Sequence, residues 1–445
     1  MKTRQFKLFL TTLILFASIG GADAGTKSWT LSDCLEHALS RNIDVRKSYL
    51  NTQGNALSLE QSRANSLPSL TGSAGKNFSW SKSYNSETRQ YGELNGSNNT
   101  SYALSSGITL FNGFKIRNSI EQARLNLESS RYYSEAVKES VELNILNAYL
   151  QILYAQENVN NAREQISSTT EQLAFAEERL RLGVISNADY LQIKSELASE
   201  NLTLANAKST LSIAKVNLMQ LMELPVNGEF EIVSPDLSHL LELKENVEAA
   251  DVYRQALEIK PQIKQAALTL ESVRLNEKIA KAGLLPQLSL NAGLNTGSSS
   301  ETDGFNYTQQ LKNAVTPSVG LSLSVPIFRN RQTQIAVKQA QIAAGDAELD
   351  ELDTKNDLRK NIEQTCVDVE TAQIQYQASV ELYEAASESY LVAVEKYELG
   401  LLNSVDFLTV KTALITSESE LTQSKYNFIF SNKILDFYKG IPISL

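Results

Sequence analysis

Two aspartates at corresponding places in the chain are the residues best suited to chemistry. Asp189 follows Gly183 by six residues, and Asp406 follows Gly400 by the same six. Copies of one such carboxylate around a symmetry axis would repel each other, raise each other's pKa and attract cations. The alternative, left open by the sequence, is that each aspartate only stabilises the first turn of a helix through the helix dipole.

Other chemistry has few candidate residues. The two histidines, His37 and His239, are too few for a His-rich metal site or a Ser-His-Asp arrangement. The two cysteines, Cys34 and Cys366, lie far apart in helical contexts, so we interpret them as packing residues, with a disulfide as the alternative. The sequence therefore predicts no catalytic site, no metal and no cofactor.

Composition and the first residues bear on partners and location. A net charge of -10 gives no basic surface for nucleic acid. Residues 1–24 combine basic residues, an apolar run over 8–19 and the small-residue pattern Ala22-Asp23-Ala24, which is typical of a secretory signal. Later residues contain no run of about 18 apolar residues. If the exported chain enters a membrane, we expect it to do so as β-strands.

The chain contains an internal repeat of one structural unit. Residues 180–194 match residues 397–411 at an offset of 217, and Leu67-Pro68 matches Leu285-Pro286 at 218. This offset divides the chain into a first repeat over 25–223, a linker over 224–250 with one short strand, a second repeat over 251–437 and a tail over 438–445.

Each repeat has the same predicted order of elements. A helical stretch, 31–66 or 252–283, ends at Leu-Pro and is followed by two alternating segments, a very long helix, a glycine break and another helix. The first long helix, 114–182, would be about 100 Å long. It has two apolar seams, one from Val141 to Ile166 and one from Leu143 to Leu153, which favours neighbours on both sides, as in a ring of helices.

The alternating segments predict four membrane strands. Near 70–80, 101–110, 286–295 and 318–327, apolar residues such as Leu110 and Leu290 alternate with small polar ones, as lipid on one side and water on the other require. A soluble sheet with one face on a core is the alternative. Because four strands leave unpaired edges in lipid, oligomerisation is expected. Three protomers give 3 × 4 = 12 strands, although a dimer also satisfies this argument. The polar stretches 81–98 and 297–313 are predicted to be outer loops.

The glycine breaks predict two helical hairpins at the ends remote from the strands. Gly183 and Gly400 would end the long helices, and Asn187 and Asn403-Ser404 would cap the helices that follow. Four tyrosines at seven-residue spacing approach the second break, and we interpret them as packing residues. They are Tyr376, Tyr383, Tyr390 and Tyr397.

Together, the repeat, the Leu-Pro strand entries and the Leu-Gly hairpins followed by aspartate resemble the TolC-type outer-membrane efflux and secretion channels. The resemblance implies a homotrimer in the outer membrane, with a periplasmic adaptor and an inner-membrane transporter as partners. It places adaptor docking at Leu182-Gly183-Val184 and Leu399-Gly400-Leu401, and the periplasmic entrance near Asp189 and Asp406. Leu402 and Thr409 stand where such channels have a gating arginine and a second aspartate, so constriction here is expected to depend more on apolar packing.

The predicted fold class is thus a mainly α protein with β (α+β). Two tandem repeats and four transmembrane strands per protomer would form a trimeric 12-stranded barrel, continued by a long α-helical periplasmic barrel. The predicted function is a passive exit duct for efflux or type I secretion. The alternatives are an exported coiled-coil or adhesin protein, which would have no internal strand hairpins, and an envelope enzyme.

Overall fold

The structure, a computed structural model, describes residues 28–225, 230–242 and 248–445. The predicted signal segment, 1–24, lies outside these residues. The first half of the chain forms β1 (Ser28–Trp29), α1 (Leu31–Arg41), α2 (Ile43–Ala64), β2 (Ser69–Asn85), β3 (Gln90–Asn112), α3 (Lys115–Arg181) and α4 (Asn187–Leu221).

The second half follows the same order with one added helix. It forms β4 (Glu231–Ile232), α5 (Ala249–Ile259), α6 (Pro261–Lys281), β5 (Gln287–Ser299), α7 (Tyr307–Asn313), β6 (Thr316–Ser324), α8 (Gln332–Glu398) and α9 (Ser404–Tyr438). The predicted short strand in the linker is confirmed, because β4 pairs in parallel with β1.

The helical stretch at the start of each repeat is broken once, where a single helix was predicted. Asn42 ends α1 with a non-helical ψ of 134°, and its side chain accepts a hydrogen bond from the Asp44 amide at 2.9 Å, which caps α2. Lys260 occupies the matching position between α5 and α6, directly before Pro261. Because a residue before proline disfavours helical backbone, the chain turns there.

The four long strands form one antiparallel sheet in the order β2-β3-β5-β6. The register places the apolar positions of all four strands on one face: Leu104 pairs with Leu294, and Leu290 pairs with both Ile108 and Leu321. The alternation predicted from the sequence is therefore confirmed as a shared apolar face. Strands β2 and β6 are the open edges.

Three details of the sheet differ from the prediction. The polar stretch 81–98 is largely strand, because β2 and β3 continue to a turn near Arg89, which adopts a positive φ of 53°. The stretch 297–313 begins as strand and ends as α7. A bulge between Thr109 and Phe111 takes Leu110 out of the alternation, so that Phe111 pairs with Leu288 instead. Small polar residues occur in these strands as they do in loops. Composition therefore did not distinguish strand from loop.

The two long helices and their partners form two antiparallel helical hairpins. Both α3 and α8 have 67 residues, or about 100 Å at ~1.5 Å per residue. Helix α3 packs against α4 and lies between α2 and α6, and α8 packs against α6 and α9. Most residues of both predicted seams of α3 are buried, including Ile145 and Leu146, whereas Leu143 and Ile166 are half-buried. No helix within the described residues combines the length and apolar character needed to cross a membrane.

The main core lies midway along α3, where α1, the end of α4 and residues 230–241 cross it. Tyr149 is buried there, and its hydroxyl donates to the Val233 carbonyl at 2.5 Å, which ties the linker to the helix. Cys34 belongs to this core, and Cys366 packs against a separate cluster around Leu358 and Ile362. The interpretation of both cysteines as packing residues is confirmed.

Candidate functional site at the distal helical hairpins

The hairpins after α3 and α8 have nearly identical backbone geometry. Gly183 and Gly400 have φ values of 73° and 77°, in the left-handed region that glycine adopts without steric cost. The amide of Val184 donates to the Arg179 carbonyl at 2.9 Å, and that of Leu401 donates to the Lys396 carbonyl at 2.8 Å. These bonds satisfy carbonyls that would otherwise be unpaired at the helix ends, so each predicted glycine break is a true helix stop.

Large apolar side chains are exposed around both glycines. Leu182 and Val184 on one hairpin, and Leu399 and Leu401 on the other, are each more than 60% exposed. Four aliphatic side chains presented together to solvent are a surface suited to contact with another protein.

Asp189 links the two hairpins. It forms a capping box with Ser186: the Asp189 amide donates to the Ser186 hydroxyl at 3.2 Å, and the Ser186 hydroxyl donates to the carboxylate at 2.6 Å. Ser404, at the start of α9, also donates to this carboxylate. These hydrogen bonds, first from Ser186 and then from Ser404, lower the pKa of Asp189. Ser186, not the predicted Asn187, is the capping residue, because Asn187 already begins the helix.

Asp406 has a more local environment. Its amide donates to the Asn403 side-chain carbonyl at 2.9 Å, and the Asn403 amide group donates back to the carboxylate at 2.8 Å. Asn403 is therefore the cap of α9, as predicted. Both aspartates lie in first turns, which is the position that the dipole alternative requires.

Leu402 and Thr409 have no charged contact in the described part of the chain. Leu402 is partly buried against a cluster that includes Ile193, Tyr397 and Phe407. Thr409 donates its hydroxyl to the Val405 carbonyl of its own helix at 2.9 Å. The tyrosine series also packs, as predicted: the Tyr397 ring stacks on Phe407 with centroids 4.6 Å apart.

A buried charged cluster, formed by Thr169, Glu200 and Lys411, joins the hairpins farther from their tips. The sequence did not predict it. The Lys411 ammonium donates to Glu200 Oε1 at 2.7 Å and also to the Thr169 hydroxyl. Thr169 donates to the same Glu200 oxygen at 2.7 Å. The charged side chains are 4% and 5% exposed, and Glu200 Oε2 is buried without a hydrogen-bond partner. The repeat gave no signal for this burial, because Lys411 corresponds to Lys194, which is exposed.

Arg179 makes a second link that the sequence did not indicate. Its guanidinium donates to the Tyr397 carbonyl at 3.0 Å and lies 5.5 Å from the Phe175 ring centroid. Polar contacts continue along the seam between α3 and the second hairpin, as in the 3.0 Å hydrogen bond from Gln165 to Glu418. Hydrogen bonds and one buried ion pair thus hold a seam that is less apolar than the main core.

Comparison with known proteins agrees with this architecture. The model of the family described as "Outer membrane efflux protein" matches residues 34–223 and 252–436. The chain is 22% identical over 436 residues to outer membrane protein TolC of Salmonella enteritidis, covering 97% of this chain and 86% of that protein. It is 26% identical over 190 residues to the alkaline protease secretion protein AprF of Pseudomonas aeruginosa, covering 42% and 38% of the two chains.

Solved outer-membrane channels share the fold. The Campylobacter jejuni CmeC channel superposes with a TM-score of 0.76 at 22% identity, covering 92% of this chain and 85% of that one. The open-state MtrE channel of Neisseria gonorrhoeae superposes with a TM-score of 0.72 at 19% identity, covering 92% of this chain and 88% of that one. The predicted class of protein, an exit duct of the outer membrane, is confirmed, and the chain belongs to the outer membrane efflux protein family.

Proposed function

We propose that three copies of this chain close a 12-stranded barrel in the outer membrane and continue it as a helical tube through the periplasm. The observation that supports this most directly is the sheet itself. It has one apolar face and two open edges, β2 and β6. In lipid, each unpaired backbone group costs several kcal/mol, so β6 of one protomer must pair with β2 of the next.

The helices favour the same assembly. At about 100 Å, α3 and α8 extend well beyond the sheet, and their hairpins lie at the far end. The protein acts as a passive duct without catalysis, and energy comes from a transporter in the inner membrane. The coiled-coil or adhesin alternative is disfavoured, since it required a chain without the β2–β3 and β5–β6 hairpins.

The exposed hairpin tips are the proposed docking surface for a periplasmic adaptor. Leu182, Val184, Leu399 and Leu401 supply apolar area, and Gly183 and Gly400 allow the tight turns that present it. Asp189 and Asp406 stand one turn inside the mouth. Because Leu402 packs against the apolar cluster around Phe407, the closed entrance depends on this packing and on the Asp189–Ser404 contact.

Conductance of the purified protein in a planar lipid bilayer, with its mass measured in detergent, tests the proposal. We expect a trimer that forms discrete channels. A monomer stable in water without detergent, with no conductance, would overturn it. Replacing Leu399 and Leu401 by Ser should leave conductance unchanged and abolish efflux in cells, which separates docking from channel formation.

A further inference from the structure

A cavity of about 940 Å³ opens where the sheet gives way to the helices. The end of β3, the start of α3 and the end of α6 form its walls. Its lining includes apolar and aromatic side chains at the end of β3, and the helices contribute cationic side chains together with Ile116, Ile120 and Leu275.

The apolar part of the cavity continues the apolar face of the sheet. Phe111 pairs with Leu288, so it lies on that face. The Phe114 ring meets Phe111 edge to face with centroids 5.3 Å apart and is 55% exposed. Aromatic rings at the end of an apolar strand face are typical of the boundary between hydrocarbon and headgroups.

The cationic part lies on the first turns of α3 and the last turns of α6. Arg117, Lys278 and Lys281 line it, and Glu121 is the one carboxylate among the described lining residues. The Arg124 guanidinium lies 2.7 Å from the Glu121 carboxylate, and the Lys281 ammonium lies 2.7 Å from the Glu277 carboxylate. The lining therefore has a positive balance immediately beyond the aromatic rings.

The backbone is shaped to form this cavity. Gly113 and Phe114 both have left-handed φ values, 64° and 65°, which turn the chain sharply out of β3. A Cβ atom at Gly113 would lie 2.9 Å from the Ala282 carbonyl oxygen, so only glycine fits against the turn that follows α6. A left-handed phenylalanine is uncommon, and here it directs an exposed ring beside the cavity.

The cavity is lined mainly by inner elements of the protomer, and Ser66, just before β2, is its one described lining residue next to an edge strand. Among the described lining residues, its strand residues belong to β3, an inner strand of the sheet, and its helix residues belong to α3 and α6, which are neighbouring inner helices. Pairing of β6 with a neighbouring β2 would leave it open to the surrounding membrane.

We propose that this cavity binds a phospholipid of the periplasm-facing leaflet, with the phosphate held by Arg117, Lys278 and Lys281 and the acyl chains along Phe111 and the apolar face. This inference rests on the proposed placement of the sheet in the membrane. Apolar, aromatic and cationic groups follow one another in the order in which a leaflet presents acyl chains, glycerol and phosphate. The positive balance favours an anionic headgroup such as phosphatidylglycerol.

Native mass spectrometry of the detergent-purified trimer tests this inference. Phosphatidylglycerol is titrated into the wild type and into Lys278→Gln/Lys281→Gln, a pair of exposed positions. The matched control is Lys208→Gln/Lys215→Gln on α4, which contributes no residue to the cavity. We expect the cavity variant to bind about 25-fold more weakly, at about fivefold per cation, and the control to match the wild type.

Three results would overturn the inference: equal affinity for dioleoylglycerol, which has no phosphate; full competition by inorganic phosphate, which would indicate a site for free anions; or equal loss in the cavity and control variants. Conductance is measured on the same samples. Conducting trimers without lipid preference would refute this inference alone, whereas non-conducting monomers would refute the proposed function.

Discussion

The two long helices, α3 and α8, have the same length and corresponding positions but very different burial. Eighteen residues of α3 are buried, against seven of α8. Helix α3 packs against α2, α4 and α6, whereas α8 packs against α6 and α9 and, over a short length, α5.

One matched pair shows what this difference means. Leu125 and Ile342 are separated by the repeat offset of 217; Leu125 is 5% exposed and Ile342 is 74% exposed. Ile342 belongs to a stripe at seven-residue spacing with Ile335 and Leu349, all of them exposed. Leu125 is covered by other helices of its own chain, whereas the equivalent Ile342 is left in solvent. We expect a second copy of the chain to cover Ile342.

The largest expected effect follows from that pair. Ile342→Asp should leave the protomer folded and abolish the trimer, because each buried Ile contributes roughly 1.5–3 kcal/mol and the change occurs three times around the ring. Leu125→Asp should prevent folding of the protomer itself. Native gel mobility and mass distinguish the outcomes, and Ile342→Leu is the conservative control. A stable Ile342→Asp trimer would contradict the comparison.

The next effect concerns equivalent lysines. Lys411 is buried against Glu200, while Lys194, 217 residues earlier, is exposed. Lys411→Met should reduce the free energy of unfolding by about 3–5 kcal/mol, because it leaves a buried carboxylate without its partner. Lys194→Met should change it by less than about 0.5 kcal/mol.

Thermal unfolding of the four members of a Lys411→Met, Glu200→Met cycle measures the coupling. The double variant should recover much of the loss, since it removes both buried charges. Strictly additive losses would mean that the two side chains do not act as a pair.

A smaller effect separates the two aspartates. Asp189 already accepts hydrogen bonds from Ser186 and Ser404, whereas the cap of Asp406 lies within its own helix. We expect Asp406→Asn to weaken block by multivalent cations roughly tenfold, through loss of three axial charges. Asp189→Asn should instead mainly loosen the contact with Ser404. Single-channel recordings test both, and unchanged block in Asp406→Asn would contradict a role in cation binding.

The smallest effect depends on pH. Burial, and then the neighbouring Glu139, raise the pKa of Glu142 above 4.5. The folded state thus binds the carboxyl proton of Glu142 more tightly than the unfolded chain does. The cost of the charged carboxylate to the fold is therefore complete above the folded pKa, and it disappears only as pH falls below 4.5.

Glu142→Gln should accordingly raise the melting temperature by about 1 °C at pH 8 and leave it unchanged at about pH 3.5. The exposed Glu370→Gln on α8 is the control and should change neither value. A gain that is equal at both pH values would assign the effect to something other than this carboxylate.

The sequence by itself determined the repeat, the order of elements, the apolar face of each strand and the two glycine hairpins. These features are set by local rules: the period of the side chains, the φ values that glycine permits and the caps of helices. Gly183, Asn403 and the seams around Ile145 could be predicted because their signals lie within a few turns of chain.

Only the tertiary structure decided which of two matched residues is buried. Lys411 and Lys194, or Leu125 and Ile342, are indistinguishable by local pattern, because burial depends on helices that approach from more than a hundred residues away. The same holds for the bulge at Leu110, where pairing between strands overrides periodicity. The breaks at Asn42 and Lys260, in contrast, follow local rules that the periodicity of the helical stretches did not reveal.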